Sequence, residues 1–214
     1  MTVVAVDGPA ASGKGTVSRM LAQELGYAYL DTGKLYRAVG LAVVRSGGEP
    51  SDPSDAEPVA KALDPATLDD PELKSDTAAA AASKVAAIDG VRAALLQFQR
   101  DFAASPPNGE AGAVLDGRDI GTVVCPDAPV KLFVTASVEI RAERRHKELL
   151  ARGDDSIYAR VLQDLQERDA RDSARSVAPM KPAEDAIELD TSALSIEQAL
   201  EAALILTKDT LAKR

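Results

Sequence analysis

Aromatic residues make up only 3% of the 214-residue chain and tryptophan is absent, so the interior has to be packed from Ala, Val, Leu and Ile. One cysteine, Cys125, leaves no intrachain disulfide and fits a reducing compartment. In its Val-Val-Cys-Pro setting it reads as a buried apolar filler rather than a reactive thiol. There is also one histidine, His146, set among Arg144, Arg145 and Lys147. That setting reads as a surface helix residue, and a His/Cys metal site is unsupported. No apolar run approaches the ~20 residues of a membrane-spanning helix. Residues 2–6 lead straight into Asp7-Gly8 with no charged leader, so the expected location is the cytoplasm. Positive charge is short too: 34 acidic side chains outnumber 25 basic ones, a formal charge of −9. That balance argues against a protein that binds nucleic-acid backbones. It also makes the placement of the arginines more informative than their number.

What is present is an ordinary soluble composition, 45% hydrophobic and 28% charged, long enough for one globular unit with a smaller attached lobe. Short apolar runs at 2–6, 27–30, 113–115, 130–134 and 186–189 read as strands. Helical spacing covers 14–25, closed by Gly26, and 35–44, stopped by Ser46-Gly47-Gly48. The Ala-rich stretch 76–102 reads as two helices broken near Asp89-Gly90. Two more helices are expected at 138–150 and 157–168, with residues 152–155 as their turn. A last one follows the capping-box pattern at Ser195–Gln198. Between them, residues 47–76 are crowded with Pro, Asp and Glu. They read as a loop-rich insertion with at most one short helix near 59–63, either an acidic linker or a lobe that moves. Strands alternating with helices imply a parallel sheet covered on both faces, with ligands at the carboxyl ends of the strands. Asp7-Gly8, Asp31-Thr32 and Asp116-Gly117 all fall there.

The clearest chemistry is Gly8-Pro9-Ala10-Ala11-Ser12-Gly13-Lys14-Gly15-Thr16, placed between a strand and a helix as a P-loop must be. Glycines let the backbone curl so that successive N–H groups face phosphate oxygens, and the following helix adds its positive end. Lys14 would reach the β- and γ-phosphates of ATP, and Thr16 could face a phosphate-bound Mg2+, with no other direct metal ligand expected. The extra Gly15 before Thr16 resembles the nucleoside monophosphate kinases more than the GTPases. A guanine-reading segment is also missing, because Thr207-Lys208-Asp209-Thr210 has its acid one place early. The arginines say more. Arg37 and Arg118 follow strands, while Arg141, Arg144, Arg145, Arg152, Arg160, Arg168, Arg171 and Arg175 occupy the late helical pair. In an acidic chain this looks like a clamp for a second polyanion, although helix-surface ion pairs such as Glu167 with Arg171 account for part of it.

Three segments carry a family resemblance: Asp31-Thr-Gly-Lys-Leu-Tyr-Arg37, Asp116-Gly-Arg-Asp-Ile-Gly-Thr-Val-Val124, and Arg168-Asp-Ala-Arg-Asp-Ser-Ala-Arg175. They resemble the bacterial cytidylate kinases, and the likeness runs from Val3 to the last helix. It implies a P-loop NTPase fold with a five-stranded parallel sheet, an acceptor-binding lobe and a helical lid, all within one domain. The core would be about 1–46, 105–136 and 176–214, the lobe about 47–104 and the lid about 137–175. The expected reaction moves the γ-phosphoryl of ATP–Mg2+ to CMP or dCMP. Lys14, Arg37 and Arg118 would be catalytic, and Arg144 and Arg145 would join residues 8–16 on ATP. The resemblance puts Arg37, Arg118, Thr32 and Tyr36 around the acceptor phosphate, and Arg168 and Asp172 at its sugar. Asp119 would read the base with Ser83, Arg92 and Arg175. A carboxylate accepts from cytosine's exocyclic amine but meets uracil's carbonyl as a second acceptor, which favours CMP. Compared with the family, residues 47–76 look short and lack strand character. UMP, AMP or a small phosphorylated metabolite are the rival acceptors, and a nucleotide-dependent switch is the rival class. A monomer is expected, with no nucleic-acid or membrane partner.

Overall fold

The computed structural model describes residues 1–213. Five strands, β1 (Thr2–Asp7), β2 (Ala28–Asp31), β3 (Gly112–Asp116), β4 (Val130–Thr135) and β5 (Ile187–Asp190), pair in parallel in the order β2-β3-β1-β4-β5. The middles of the two strands β1 and β3 are apolar because both faces are covered; Val4, Ala5, Val6, Ala113, Val114 and Leu115 are all fully buried. The register brings the acids together. Val6 and Asp31 both lie opposite Asp116, so Asp7, Asp31 and Asp116 finish along one edge.

Helices α1 (Lys14–Leu25) and α8 (Ile196–Ala212) cover one face, where Val17, Leu21, Ala199 and Ala203 meet Val4, Val6, Val114 and Leu132. On the other face, α5 (Asp89–Ala104) and the turn Ile120–Val124 pack on Ala5, Leu30, Ala113 and Leu115. A second apolar cluster builds the lobe from α2 (Thr32–Arg45), α3 (Pro53–Lys61), α4 (Asp76–Val85) and the start of α5. The alanine run of α4 has a purpose there. Gly40 of α2 lies so close that a methyl group on it would meet Ala81 at 2.8 Å, and only small side chains allow that approach. The last pair, α6 (Val138–Ala151) and α7 (Tyr158–Ser173), shares a small core of Ala142, Leu149, Val161 and Leu165 that reaches Ala10 of the phosphate loop. Among the described residues no helix is long and apolar enough to cross a membrane.

The five strands and the main helices stand where the periodicity puts them, with α2 starting earlier and α7 running on to Ser173. Residues 47–76 differ. The helix there is Pro53–Lys61 rather than 59–63, and two 3-10 turns follow at Pro65–Asp69 and Pro71–Lys74. Three Asp-Pro pairs explain this. Asp52, Asp64 and Asp70 each accept from the N–H two residues on, at Ser54, Ala66 and Glu72, and each following proline opens the turn. Proline is favourable at that first position, where its missing N–H costs nothing. Cys125 is half-buried rather than buried, its thiol pushed up to about 11 by burial. His146 lies between the helices of the last pair, its Nδ1 2.9 Å from Ser156 Oγ and its ring edge-on to Tyr158.

Candidate active site

The phosphate loop leaves β1 through Gly8, where a Cβ would come within 2.0 Å of the Val134 carbonyl, so only glycine passes. Ala11 and Gly13 then take positive φ angles of 60° and 86°, the alternation that aims backbone N–H groups into a shared hollow. A non-glycine residue at 60° is held there by its surroundings, and such strain gathers where ligands bind. Gly13 caps α1, which therefore points its positive end at the same hollow. Lys14 Nζ lies 3.1 Å from Asp116 Oδ1. Burial, followed by repulsion from Arg118, pulls the lysine below its ordinary value, while Asp116 and Asp31 oppose that.

Across the strand ends, Thr32, Tyr36 and Arg37 of α2 and Arg92 of α5 join Arg118 and Asp119 after β3. With Arg168, Asp172 and Arg175 at the end of α7 they form one linked group that lines the acceptor side, here called the cleft. Asp172 is 1% exposed and holds three arginines: Arg118 Nε at 3.2 Å, Arg168 Nε at 3.9 Å, and Arg175 through Nη2. Burial works to raise its carboxyl, but Arg118, Arg175 and Arg168 outweigh that and hold it low. Asp119 is likewise buried and paired with Arg92, whose guanidinium sits 5.7 Å from the Tyr36 ring centroid. Burial pushes Asp119 above the usual carboxylate range against the pull of Arg92, Arg175 and Arg118.

The cations crowd one another. Burial and Arg118 lower Arg168, and burial with Arg145 and Arg118 lowers Arg37. The Nε groups of Arg168 and Arg175 are buried without a hydrogen-bond partner among the described residues. A buried donor without an acceptor is costly, so this cleft favours a multiply charged anion. The guanidinium cluster lies close enough to the phosphate loop for Arg118 to repel Lys14.

Comparison with known proteins decides what kind of site this is. The family model described as cytidylate kinase matches residues 4–209. The chain belongs to the cytidylate kinase family. It is 64% identical over 202 residues to the cytidylate kinase of Rhodospirillum rubrum, covering 94% of this chain and 95% of the relative. It is 63% identical over 203 residues to that of Paramagnetospirillum magneticum, covering 95% and 96%. Among solved structures, a sugar kinase from Janibacter sp. superposes with a TM-score of 0.50 at 18% identity, covering 97% of this chain and 95% of that one. That likeness is one of fold alone.

Within this cytidylate kinase architecture, four of the ten arginines singled out in the sequence gather in the cleft, Arg118, Arg168 and Arg175 around Asp172 and Arg37 beside them, and the other six are not part of that group. Arg141 bolts α6 to the phosphate loop, donating to the carbonyls of Ala136 at 2.9 Å and Ala10 at 3.2 Å and to Asp169 at 2.6 Å. Arg144 lies beside the phosphate loop, 3.9 Å from where a Cβ on Gly13 would sit, and donates to Thr191 Oγ1 at 3.0 Å and its carbonyl at 2.6 Å. Arg145, expected against ATP, pairs with Asp76 at the start of α4 and with Glu148 one turn along its own helix at 2.8 Å. One step along a helix turns the side chain by about 100°, which sends these two neighbours to different partners.

Ser83 is buried on α4 and receives Arg171 Nη1 at 2.9 Å, and Thr32 donates to the Asp116 carbonyl at 2.8 Å. Arg37, besides facing the cleft, donates to the Leu73 carbonyl at 2.7 Å. Several participants carry no specific role from the sequence: Asp7 and Asp116 are marked only as strand-end acids and Arg171 only among the arginines, while Tyr29, Gln99 and Thr191 are not marked at all. Thr191 stands just beyond the carboxyl end of β5, the same signal that marks the two acids. Gln99 and Tyr29 lie inside elements, and nothing local marks them.

Proposed function

We propose that this chain transfers the γ-phosphoryl of ATP to the phosphate of CMP or dCMP, giving ADP and CDP or dCDP. The observation that carries this reading is the buried arginine cluster on Asp172 beside the phosphate-loop Lys14, together with the buried Asp119–Arg92 pair. In this reading the phosphate loop and Lys14 take the donor's phosphates. Arg37, Arg118, Arg168 and Arg175 take the acceptor's phosphate and sugar, and Asp119 takes the exocyclic amine of cytosine. The attacking acceptor oxygen is already anionic, so no general base is required. It bonds to the γ-phosphorus as the bond to the β–γ bridging oxygen breaks, and the electron pair leaves with ADP. The fixed cations hold the two polyanions in line and neutralise the spreading charge.

Oxygen donors suited to a hard divalent cation are in place. Asp116 presents a buried Oδ1 whose close partner is Lys14 Nζ at 3.1 Å, and Thr16 lies in the first turn of α1. We assign Mg2+ to ATP's phosphates with Thr16 and Asp116 around it; when bound, it supplies charge neutralisation. Residues 137–175 act as the lid and about 47–104 as the acceptor lobe. The chain works as a cytoplasmic monomer on small nucleotides alone.

A coupled assay of ADP release against CMP, dCMP, UMP and AMP tests the reading. CMP and dCMP should be strongly preferred, and the rate should collapse by about a hundredfold or more in Lys14→Ala. Preference for UMP would remove the role given to Asp119, and ATP consumption independent of any monophosphate would remove the transferase reading.

A further inference from the structure

The acid that closes β1 turns its carboxylate away from the phosphate loop it precedes and toward the turn after Asp119. Asp7 is 4% exposed, and its two carboxylate oxygens take the N–H groups of Ile120 at 2.7 Å and Gly121 at 2.8 Å. Those are the two residues directly after Asp119. The turn they begin is bolted at its far end by Arg100, which donates to the carbonyls of Val123 at 3.0 Å and Val124 at 3.2 Å. Its near end has only one side chain for an anchor among the described residues, and that is Asp7.

The anchor itself cannot drift. The next residue, Gly8, is pressed against the Val134 carbonyl, and Val6 accepts from Gly117 N–H at 2.9 Å. The turn comes equally close on its side. A Cβ at Gly121 would stand 3.4 Å from Asp7 Oδ2 and 3.1 Å from Lys131 Cδ.

We infer that Asp7 is a positioning residue for acceptor recognition, a bracket that fixes where Asp119 stands relative to the root of the phosphate loop. This rests on the reading of Asp119 as the group that meets the cytosine amine. Asp119 has no side-chain hydrogen bond of its own to the turn's backbone, so its carboxylate goes where Ile120 and Gly121 go. Arg92, and through it the Tyr36 ring, follows Asp119. Two carboxylate oxygens accepting two neighbouring amides define that position more tightly than packing alone, because a small shift leaves a buried N–H without an acceptor.

Steady-state kinetics of Asp7→Asn, with CMP and UMP as acceptors and ATP as donor, tests this. Asparagine keeps the volume but sets an amide NH2 against one of the two N–H groups. KM for CMP should rise about tenfold and the preference for CMP over UMP should fall, while KM for ATP moves by less than about twofold. Asp7→Glu, which restores the carboxylate, should recover part of the loss. If KM for ATP rises as much as KM for CMP, Asp7 serves the phosphate loop and the inference is overturned. Unchanged KM for CMP and unchanged selectivity also overturn it. Should Asp7→Asn fail to fold, Gly121→Ala probes the same contact from the other side and must show the same split. Asp119→Asn run alongside separates the two readings: if it leaves selectivity intact, base reading by Asp119 is wrong and the inference falls with it. If it lowers selectivity while the Asp7 and Gly121 variants do not, only the inference falls.

Discussion

Asp172 shows what a single buried carboxylate does among arginines. Left alone, Arg118, Arg168 and Arg175 would repel one another, and the neutralising acid lets them share one cleft wall. Removing it leaves buried like charges without a partner, a change that costs about 3–5 kcal/mol. Asp172→Ala should therefore lower Tm by about 10 °C in a chain of this size. Because an anion can replace the lost charge, the deficit should shrink when CMP is added in a thermal-shift measurement. A deficit of equal size with and without CMP would mean that the three arginines do not face the acceptor. The pH dependence has a definite sign. The folded state holds Asp172 below its ordinary 3.8, so its contribution is present above that value and is lost as pH falls through the lower folded one.

Among the elements, the helical pair is the one whose sequence most rewards a reading residue by residue. Along α6, Arg141 faces the phosphate loop, Arg144 the end of β5, and Arg145 the acceptor lobe. The pair thus touches every moving part. Arg152, just past α6, adds a second tie to the lobe by donating to the Lys74 carbonyl at 3.0 Å, and Arg171 of α7 adds a third at Ser83. The Arg145 and Arg152 ties are exposed and individually weak, as the proposed lid role requires, whereas Arg171 reaches the buried Ser83. Asp76→Asn should loosen the first of them. Hydrogen exchange in residues 145–157 should then speed up by as much as about fivefold, with the global unfolding midpoint nearly unchanged. Exchange at the wild-type rate would show that Arg145 and Asp76 do not hold the lid.

For the whole molecule, the formal charge of −9 and the arginine-lined cleft pull in opposite directions on an anionic substrate. Net charge alone predicts that added salt, by screening repulsion, speeds the capture of CMP. The local field predicts the reverse, because a cleft focuses the potential of its own walls within a Debye length of about 10 Å at 0.1 M salt. We expect kcat/KM for CMP to fall several-fold as KCl is raised at constant Mg2+. A rise would show that the overall charge governs encounter. Much of that acidity lies in the segment from Glu49 to Asp76, in α3 and the turns that follow it.

The sequence by itself determined the parts whose chemistry is contiguous. The phosphate loop, the strand ends carrying Asp7, Asp31 and Asp116, and the run from Asp116 to Val124 are each read from neighbouring residues, because local backbone geometry demands them. The Asp-Pro starts at 52, 64 and 70 were equally legible, and treating proline only as a breaker hid them. What only the tertiary structure decided is partnership across the chain. Asp7 meets Ile120 from 113 positions away, and Arg171 meets Ser83 from 88. Such pairs depend on strand register and on which way a helix face turns after packing, and neither is written in the residues that form them. Arg144 and Arg145 make the point most simply: adjacent in sequence and identical in kind, they were sent to opposite sides of the site by the pitch of one helix.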